Sequence, residues 1–238
     1  MPSQDGKRRT LWEILSGKNK RDLTPLELQY HNPLGARVGN TVSFDNEPEL
    51  KRINFVIEKM SVYETKVKAR KFYHTDYHLK GLALGMEKPL RFRLRLIPDE
   101  DETNKLGCKI QLLNHYASSE WDENLYAAAN NDQGEFHVNY DDNDVELAEP
   151  RKYWRIDDVL DPYHARVTIL ADKDGDDKID EAELERVDLT YWDFHRDTTN
   201  PDNGLEYREY LTVEMTDKTL YFTLFRGRYV EASQIMVI

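Results

Sequence analysis

The sequence lacks the residues that mark secreted or membrane-spanning proteins. Cys108 is the single cysteine in 238 residues, so no internal disulfide can form and nothing indicates an oxidising compartment. No stretch approaches the roughly 18 consecutive apolar residues that a membrane span requires. The charged residues 1–9 precede no apolar run, so we expect no signal peptide. These absences favour a cytoplasmic protein that does not act in a membrane.

Motifs of the common catalytic chemistries are also absent from the sequence. It contains no nucleophile elbow, no glycine-rich phosphate-binding loop and no CxxC pair. Eleven glycines are few for a protein that cradles a nucleotide. Because acid–base pairs can assemble from distant residues, these absences leave enzymatic activity open, but they favour a non-enzymatic protein.

Positive charge is in short supply, with 33 lysines and arginines against 45 aspartates and glutamates, a formal net charge of −12. Binding to DNA or RNA generally needs a basic face that displaces counterions, so we expect no nucleic-acid partner. The exception is the start of the chain, where residues 1–22 carry six basic and three acidic residues. We interpret residues 1–22 either as a basic arm that docks onto a protein partner or another subunit, or as a frayed terminus.

Alternating apolar and polar residues indicate β-strands along most of the chain. The clearest pattern is Leu90–Leu96, where leucine or phenylalanine alternates with arginine over seven residues. A period of two predicts that the four apolar residues of this segment face the core. The intervening Arg91, Arg93 and Arg95 either grip an anionic partner or, as we prefer, pair with acidic residues on the neighbouring strand.

The strand patterns recur at short intervals with turn residues between them, which predicts a mainly β fold, an antiparallel barrel or sandwich. The predicted strand segments are 41–44, 52–63, 90–96, 109–113, 136–140, 165–170, 189–195, 207–215, 220–225 and 229–230. A short helix should begin at Thr24, whose side chain can cap it together with Glu27.

A short pattern is shared by the two sides of residue 150. An acidic residue followed by tyrosine, in a strand that precedes an apolar strand, is found at residues 76–77 and again at 209–210. The pattern predicts two related β units, residues 23–150 and 151–238, after the arm of residues 1–22. The strand and its apolar successor also resemble uncharacterised bacterial β domains, a likeness that implies no function.

The most specific motif is the acidic segment Asp172–Glu183, which reads DKDGDDKIDEAE. It resembles the EF-hand loop, in which twelve residues supply oxygen ligands to calcium. The resemblance implies these ligands: Asp172, Asp174, Asp176, the carbonyl of Lys178, Asp180 directly or through water, and both oxygens of Glu183. It also implies that Ile179 is the apolar anchor of the loop. We therefore expect a calcium ion, Ca2+, as the cofactor.

The segment differs from the EF-hand in two ways. Asp177 stands at the sixth position, where the family has glycine, and aspartate adopts a positive φ only at some cost. Residues 165–171 predict a strand before the loop, where the family has a helix. Residues Glu181–Val187 include good helix formers and predict a helix after it. The sequence thus predicts a strand–loop–helix unit rather than a sensor that opens a groove.

The charge of this region favours a bound cation. Residues 172–188 carry nine acidic and three basic residues, a net charge of −6 that calcium would offset. The alternative interpretation is an acidic turn that faces water.

Two other segments contain residue types that bind metals. Residues 197–209 have nearly the spacing of a second calcium loop, but a hairpin turn is the simpler interpretation. His74, Asp76 and His78 share one face of a predicted strand, as do the acidic and histidine residues of 193–197. Neutral imidazoles with a carboxylate can hold zinc or iron, and a solvated strand face is the alternative.

The function that these observations predict is a calcium-binding, non-enzymatic structural or interaction protein, whose ion pins the unit around Asp172–Glu183. One alternative is a subunit of a larger assembly that docks through residues 1–22. Another is a metal-dependent enzyme that uses His74, Asp76 and His78.

Overall fold

The computed structural model describes residues 24–28, 32, 34–45, 50–51, 53–67, 70–81, 88–98, 108–141, 145–156, 161–172, 179–181, 183–200 and 204–238. Within them lie twelve β-strands: β1 Thr41–Phe44, β2 Phe55–Val67, β3 Arg70–Gly81, β4 Leu90–Pro98, β5 Cys108–Ser119, β6 Glu135–Tyr140, β7 Glu146–Arg155, β8 Tyr163–Leu170, β9 Glu185–Thr199, β10 Glu206–Thr216, β11 Tyr221–Tyr229 and β12 Ile235–Val237. Two short α-helices, α1 Pro25–Leu28 and α2 Glu123–Ala129, and the 3-10 turn Ala232–Gln234 complete the described elements. None of the described helices has the length and apolar character needed to cross a membrane.

Eight of the strands form a closed antiparallel barrel, which confirms the predicted mainly β fold. Their order is β2, β3, β4, β5, β11, β10, β9 and β8, and β8 pairs again with β2. Strands β1 and β12 extend the sheet beyond β2, and β7 and β6 extend it beyond β9. Strand β5, which precedes residue 150, pairs directly with β11, which follows it. The two predicted units therefore contribute strands to one barrel. The division at residue 150 stays a prediction.

The outer faces of the barrel strands are apolar and lie under the added elements. One core joins the outer face of β2–β5 to β1, β12 and Leu26 of α1. The four apolar residues of Leu90–Leu96 pack into this core, as their alternation predicts. A second core joins the outer face of β9–β11 to α2, β6 and Tyr153 of β7. Both faces of the barrel wall are therefore covered along much of its length.

Local sequence explains where the helices begin. Thr24 caps α1 as predicted, because its N–H donates to Glu27 Oε2 at 2.8 Å and its Oγ1 accepts from the Glu27 N–H at 3.3 Å. Helix α2 was not predicted. Asp122 caps it, accepting from the N–H groups of Asn124 and Leu125 at 2.8 and 3.2 Å. Such a side-chain cap satisfies backbone donors that a helix start leaves open.

The helix predicted at Glu181–Val187 is wrong. Strand β9 begins at Glu185, and the pair Ile169–Glu185 continues the antiparallel ladder with β8. The cross-strand hydrogen bonds of this ladder override the helix propensity of the segment, which is only a weak preference. The unit around the acidic segment is thus strand–loop–strand, while the strand predicted before it is confirmed as β8.

Candidate functional site

The interior of the barrel contains a network of charged and polar side chains, here called the lumen network. Side chains alternate between the two faces of a strand, so the residues that do not face the outer cores point into the barrel. The lumen network consists of Tyr63, Asp76, Arg93, Arg95, Asp193, Thr212 and Glu214. Several of its bonds join strands that are not neighbours in the sheet, such as β4 and β10, and so cross the lumen.

Arg95 lies at the centre of the lumen network, with 1% of its side chain exposed. Its Nε and Nη2 donate to the two oxygens of Asp76 at 2.9 and 3.1 Å. Nη1 donates to Thr212 Oγ1 at 3.0 Å and to Asp193 Oδ1 at 3.4 Å. Nη2 also donates to Glu214 Oε1 at 3.2 Å. These five bonds match the five N–H groups of a guanidinium, so Arg95 is fully satisfied although it is buried.

Arg93 lies two residues before Arg95 on β4 and contacts two of the same carboxylates, those of Asp76 and Glu214. Its Nη1 lies 2.7 and 2.9 Å from the two oxygens of Glu214 and 3.0 Å from the Tyr63 hydroxyl oxygen. The guanidinium carbon lies 3.6 Å from the centroid of the Phe225 ring, a cation–π contact. Tyr63 also donates its hydroxyl to Glu214 Oε1 at 3.1 Å. The preferred pairing of the arginine row with acids is confirmed, with the addition that partners come from across the barrel.

The lumen network holds two arginines and three carboxylates, and the pKa values reflect this imbalance. Burial alone would raise the pKa of Asp76, but Arg95, His74 and Arg93 together hold it well below its usual range. For Asp193, burial raises the pKa above its ordinary value, because Arg95 and the Thr212 hydroxyl offset the loss of water only in part. Protonation of Asp193 would leave two arginines facing two carboxylates.

His74, Asp76 and His78 are buried or half-buried on the inward face of β3, so the interpretation as a solvated strand face is wrong. His74 Nε2 lies 3.9 Å from Asp76 Oδ1, and the His74 ring stacks on Tyr63 with 4.1 Å between centroids. His78 Nε2 lies 2.8 Å from Ser61 Oγ. Both oxygens of Asp76 accept from Arg95, which makes that carboxylate unsuited to a metal.

Burial and the nearby Arg95 lower the pKa of His74 to about 3, so the ring is neutral at physiological pH. Across the part of the chain that the structure describes, no group of three or more His, Cys, Asp and Glu side chains is placed to hold a metal ion. This geometry gives no support to the metal-dependent enzyme. Asp197, on the second candidate strand, instead forms an ion pair with Arg208 at 2.8 Å.

The predicted calcium loop connects β8 to β9. Asp172 follows the end of β8, while Asp180 and Glu183 precede the start of β9. The Asp180 N–H donates to Glu183 Oε2 at 3.0 Å, and the Glu183 N–H donates to the Asp180 carbonyl at 3.3 Å. The other predicted ligands, Asp174, Asp176 and Lys178, lie outside the described residues, as does the arm of residues 1–22.

The described end of this connection is anchored on the barrel wall. Ile179 and Leu184 are partly buried and pack against the outer core of β2–β5. Ile179 is the residue that the EF-hand resemblance assigns as the apolar anchor. The turn Asp180–Glu183 is therefore held between two contacts with the core.

Strands β9 and β10 pair antiparallel as far as Thr199 and Glu206, so residues 197–209 join the two strands of a β-hairpin, as the simpler interpretation predicts. Residues 201–203, where we place most of the turn, lie outside the described residues. Gly204 has a φ of 70°, and its N–H donates to the Asn200 carbonyl at 2.8 Å. Glu209 lies in β10, where Arg196 Nε lies 2.6 Å from its Oε2 and the Tyr153 hydroxyl donates to it. The acidic residues at the two ends of this segment are thus engaged in ion pairs.

Sequence reasoning missed Tyr63, Thr212 and Glu214 as members of the lumen network. Glu214 is separated from Arg93 by 121 positions, so no local pattern joins them. The available signal was in β10, where polar Thr212 and Glu214 alternate with apolar residues while the strand is buried on both faces. No model of a known family, no curated protein and no solved structure matches the chain.

Proposed function

We propose that this is a calcium-binding, non-enzymatic protein in which the connection Asp172–Glu183 binds one structural Ca2+. The observation that carries the proposal is the antiparallel pairing of β8 with β9, which runs as far as Ile169 and Glu185. Paired Cα atoms across an antiparallel ladder lie about 5 Å apart. The first and last predicted ligands, Asp172 and Glu183, therefore leave the sheet from neighbouring points.

This closure is what a calcium loop requires. Calcium takes six to eight oxygen ligands, and in the EF-hand loop the first and twelfth residues bind the same ion. A connection whose ends are already held together by a strand ladder needs less ordering when the ion binds, because the loop-closure entropy has been lost on folding. The donor set of Asp172–Glu183 consists of carboxylates and a carbonyl, the hard oxygen ligands that calcium prefers.

The described turn supports the same interpretation. Glu183 Oε2 accepts from the Asp180 N–H, so the carboxylate of the twelfth position bends back over the loop. Ile179 and Leu184 hold this end against the outer core. Since both flanking strands belong to the closed barrel, an ion here would brace the barrel rather than open a groove. The role we propose is accordingly structural.

The test is thermal unfolding with and without calcium. If the folded protein binds Ca2+, an ion concentration of about 100 times the Kd adds roughly 2.7 kcal/mol to the free energy of unfolding. For a chain of this size that free energy corresponds to a Tm increase on the order of 5–10 °C. We expect this increase for the wild type, and we expect Asp172→Ala and Glu183→Gln to abolish it.

Glu181→Gln is the matched control, because it removes the same charge two residues from Glu183 at a position that is not a predicted ligand. Glu181 forms one exposed ion pair with Arg186 at 3.5 Å. The control should keep the calcium response. Absence of any calcium response in the wild type, or equal loss of it in Glu181→Gln, would reduce the segment to an acidic turn that faces water.

A further inference from the structure

One end of the barrel presents four cationic side chains, here called the mouth cluster: Lys59, Lys80, Arg91 and Arg93. Lys59 pairs with His78 across β2 and β3, and His78 pairs with Arg93 across β3 and β4. Lys80 and Arg91 form the next cross-strand pair towards the strand ends. Directly opposed side chains of this kind have Cβ atoms about 5 Å apart. Lys80 and Arg91 are opposed in this way, whereas Lys59 and Arg93 lie two strands apart on either side of His78, in a protein whose net charge is −12.

The carboxylates around the mouth cluster leave one cation without an ion pair. Glu58, at a register shift of β2, lies 2.7 Å from Lys80 and 2.8 Å from Arg91. Glu214 and Asp76 face Arg93 at 2.7 and 3.4 Å. Lys59 forms no ion pair with any residue that the structure describes, although Glu185 of β9 also faces it and favours its charged form.

Lys59 is held in an unfavourable position for an unpaired ammonium group. It is half-buried, and burial together with the neighbouring Arg93 lowers the pKa of Lys59 below its ordinary value. Arg93 lies two strands away on the far side of His78, and its positive charge disfavours the charged form of Lys59. Residues that lower the stability of the folded protein are typical of binding sites, where a bound ligand supplies the interaction that the residue lacks.

Arg93 keeps hydrogen-bond donors available beside Lys59. All of its hydrogen bonds with described residues use Nη1, while Nε and Nη2 have no partner there and are not sealed from solvent. Both side chains are long, so a guanidinium and an ammonium group two strands apart could bind opposite sides of one phosphate group. Below this level Arg95 bonds to Asp76 and Glu214, so a ligand of the mouth cluster would lie above these bonds.

We propose that the mouth cluster binds a phosphate group carried by a small molecule, with Lys59 and Arg93 as its main ligands. The ligand would neutralise Lys59 and fill the free donors of Arg93. This inference goes beyond the calcium proposal, and it involves no predicted calcium ligand.

The test is titration with inorganic phosphate at constant ionic strength, monitored by calorimetry and by the Tm. Metal is removed beforehand on a chelating resin, because a soluble polycarboxylate chelator would itself compete for a cationic site. We expect saturable binding by the wild type that an equal ionic strength of chloride does not reproduce. Lys59→Gln should weaken it about tenfold or more, since it removes a charge-assisted hydrogen bond.

Lys66→Gln is the matched control, because Lys66 lies on the same strand but is exposed. It should bind phosphate within about twofold of the wild type, a change of at most a few tenths of a kcal/mol. Without phosphate, Lys59→Gln should unfold at the same temperature as the wild type or higher, because it removes a repelled cation. A structural role of Lys59 would instead lower that temperature.

Three results in solution would overturn the proposal: no saturable binding beyond the effect of chloride, equal affinity of Lys59→Gln and the wild type, or a lower Tm of phosphate-free Lys59→Gln. Glycerol 3-phosphate in solution should bind at least as well as inorganic phosphate. Retention only on vesicles that contain phosphatidic acid would assign the site to a membrane surface and would also contradict the proposal. Because no calcium is present, these outcomes are independent of the loop Asp172–Glu183.

Discussion

Replacing Arg95 by methionine tests whether the lumen network stabilises the barrel. The substitution keeps a long side chain but removes five hydrogen bonds and one positive charge. Three carboxylates, those of Asp76, Asp193 and Glu214, would then share the single cation Arg93. The loss should be large because Asp76 and Glu214 are buried and cannot turn to water.

The expected magnitude follows from the cost of breaking a buried ion pair on one side, about 3–5 kcal/mol. Since 1 kcal/mol shifts the Tm of a chain this long by about 2–4 °C, the decrease should be on the order of 10 °C. The decrease should also depend on pH. Arg95 depresses the pKa of Asp76, and this contribution to stability is fully present above the unfolded value of about 3.9. It is lost as the pH falls below that value, so the difference between variant and wild type should shrink under acidic conditions.

The assay is urea unfolding followed by tryptophan fluorescence and by circular dichroism, whose coincidence tests two-state behaviour. Arg91→Met is the matched control on the same face of β4. Arg91 is 61% exposed, and its one ion pair with a described residue is with Glu58, so its loss should cost less than about 1 kcal/mol. The double variant Arg95→Met with Asp76→Leu should recover stability relative to Arg95→Met, because a buried ion pair can be replaced by apolar residues at little cost. Equal effects of Arg95→Met and Arg91→Met would refute the reasoning.

Two further predictions concern titration inside the barrel. Asp193→Asn should keep the bonds that Thr212 and Arg95 donate to Oδ1, at 2.6 and 3.4 Å, and should match or exceed wild-type stability at pH 7. Because the pKa of Asp193 is raised, its protonated form stabilises the folded state at low pH, and this contribution is lost as the pH rises. The stability advantage of the variant should therefore vanish near pH 4. Urea unfolding at pH 7 and at pH 4 would reveal this change. His74→Phe should keep the stacking on Tyr63 but remove a ring whose pKa is lowered to about 3. Because the unfolded histidine binds a proton below about pH 6.5, the wild type should lose about 2–3 kcal/mol relative to this variant between pH 7 and 4.5, and parallel pH profiles would contradict this assignment.

A strand could be predicted from the sequence where one of its faces is apolar. What the side chains on the opposite face contact could not be predicted. In Leu90–Leu96 the alternation identified both the strand and its core-facing residues. The same alternation is typical of a sheet with one solvated face, and barrel closure buries both faces here. Arg93 and Arg95 meet partners from β10, and that pairing depends on which strands close the barrel rather than on any local pattern.

The elements that were missed or wrong have specific physical causes. Strand β7 contains Pro150 and charged residues and pairs with β9 through only two residues, Trp154 and Arg155, so its pattern is that of an edge strand. Helix α2 depends on the single cap Asp122, which stands in a polar stretch between β5 and β6. At Glu181–Val187 the sequence favours a helix, and the pairing with β8 reverses that preference.

The charges of the protein are distributed in a way that separates stability from binding. In the lumen network opposite charges meet at hydrogen-bonding distance, and proton uptake by Asp193 would balance them, which suits a structural core. In the mouth cluster Lys59 has no ion pair among the described residues, and the sequence of the connection Asp172–Glu183 has an excess of acids. The described start of that connection lies at the same end of the barrel as Lys59, because Leu170, the last residue of β8, pairs with Met60. Uncompensated charge of either sign reduces the stability of a folded chain unless a ligand neutralises it. Under both proposals, therefore, binding takes place at this end of the barrel, while the lumen network stabilises the strands on which the two sites are built.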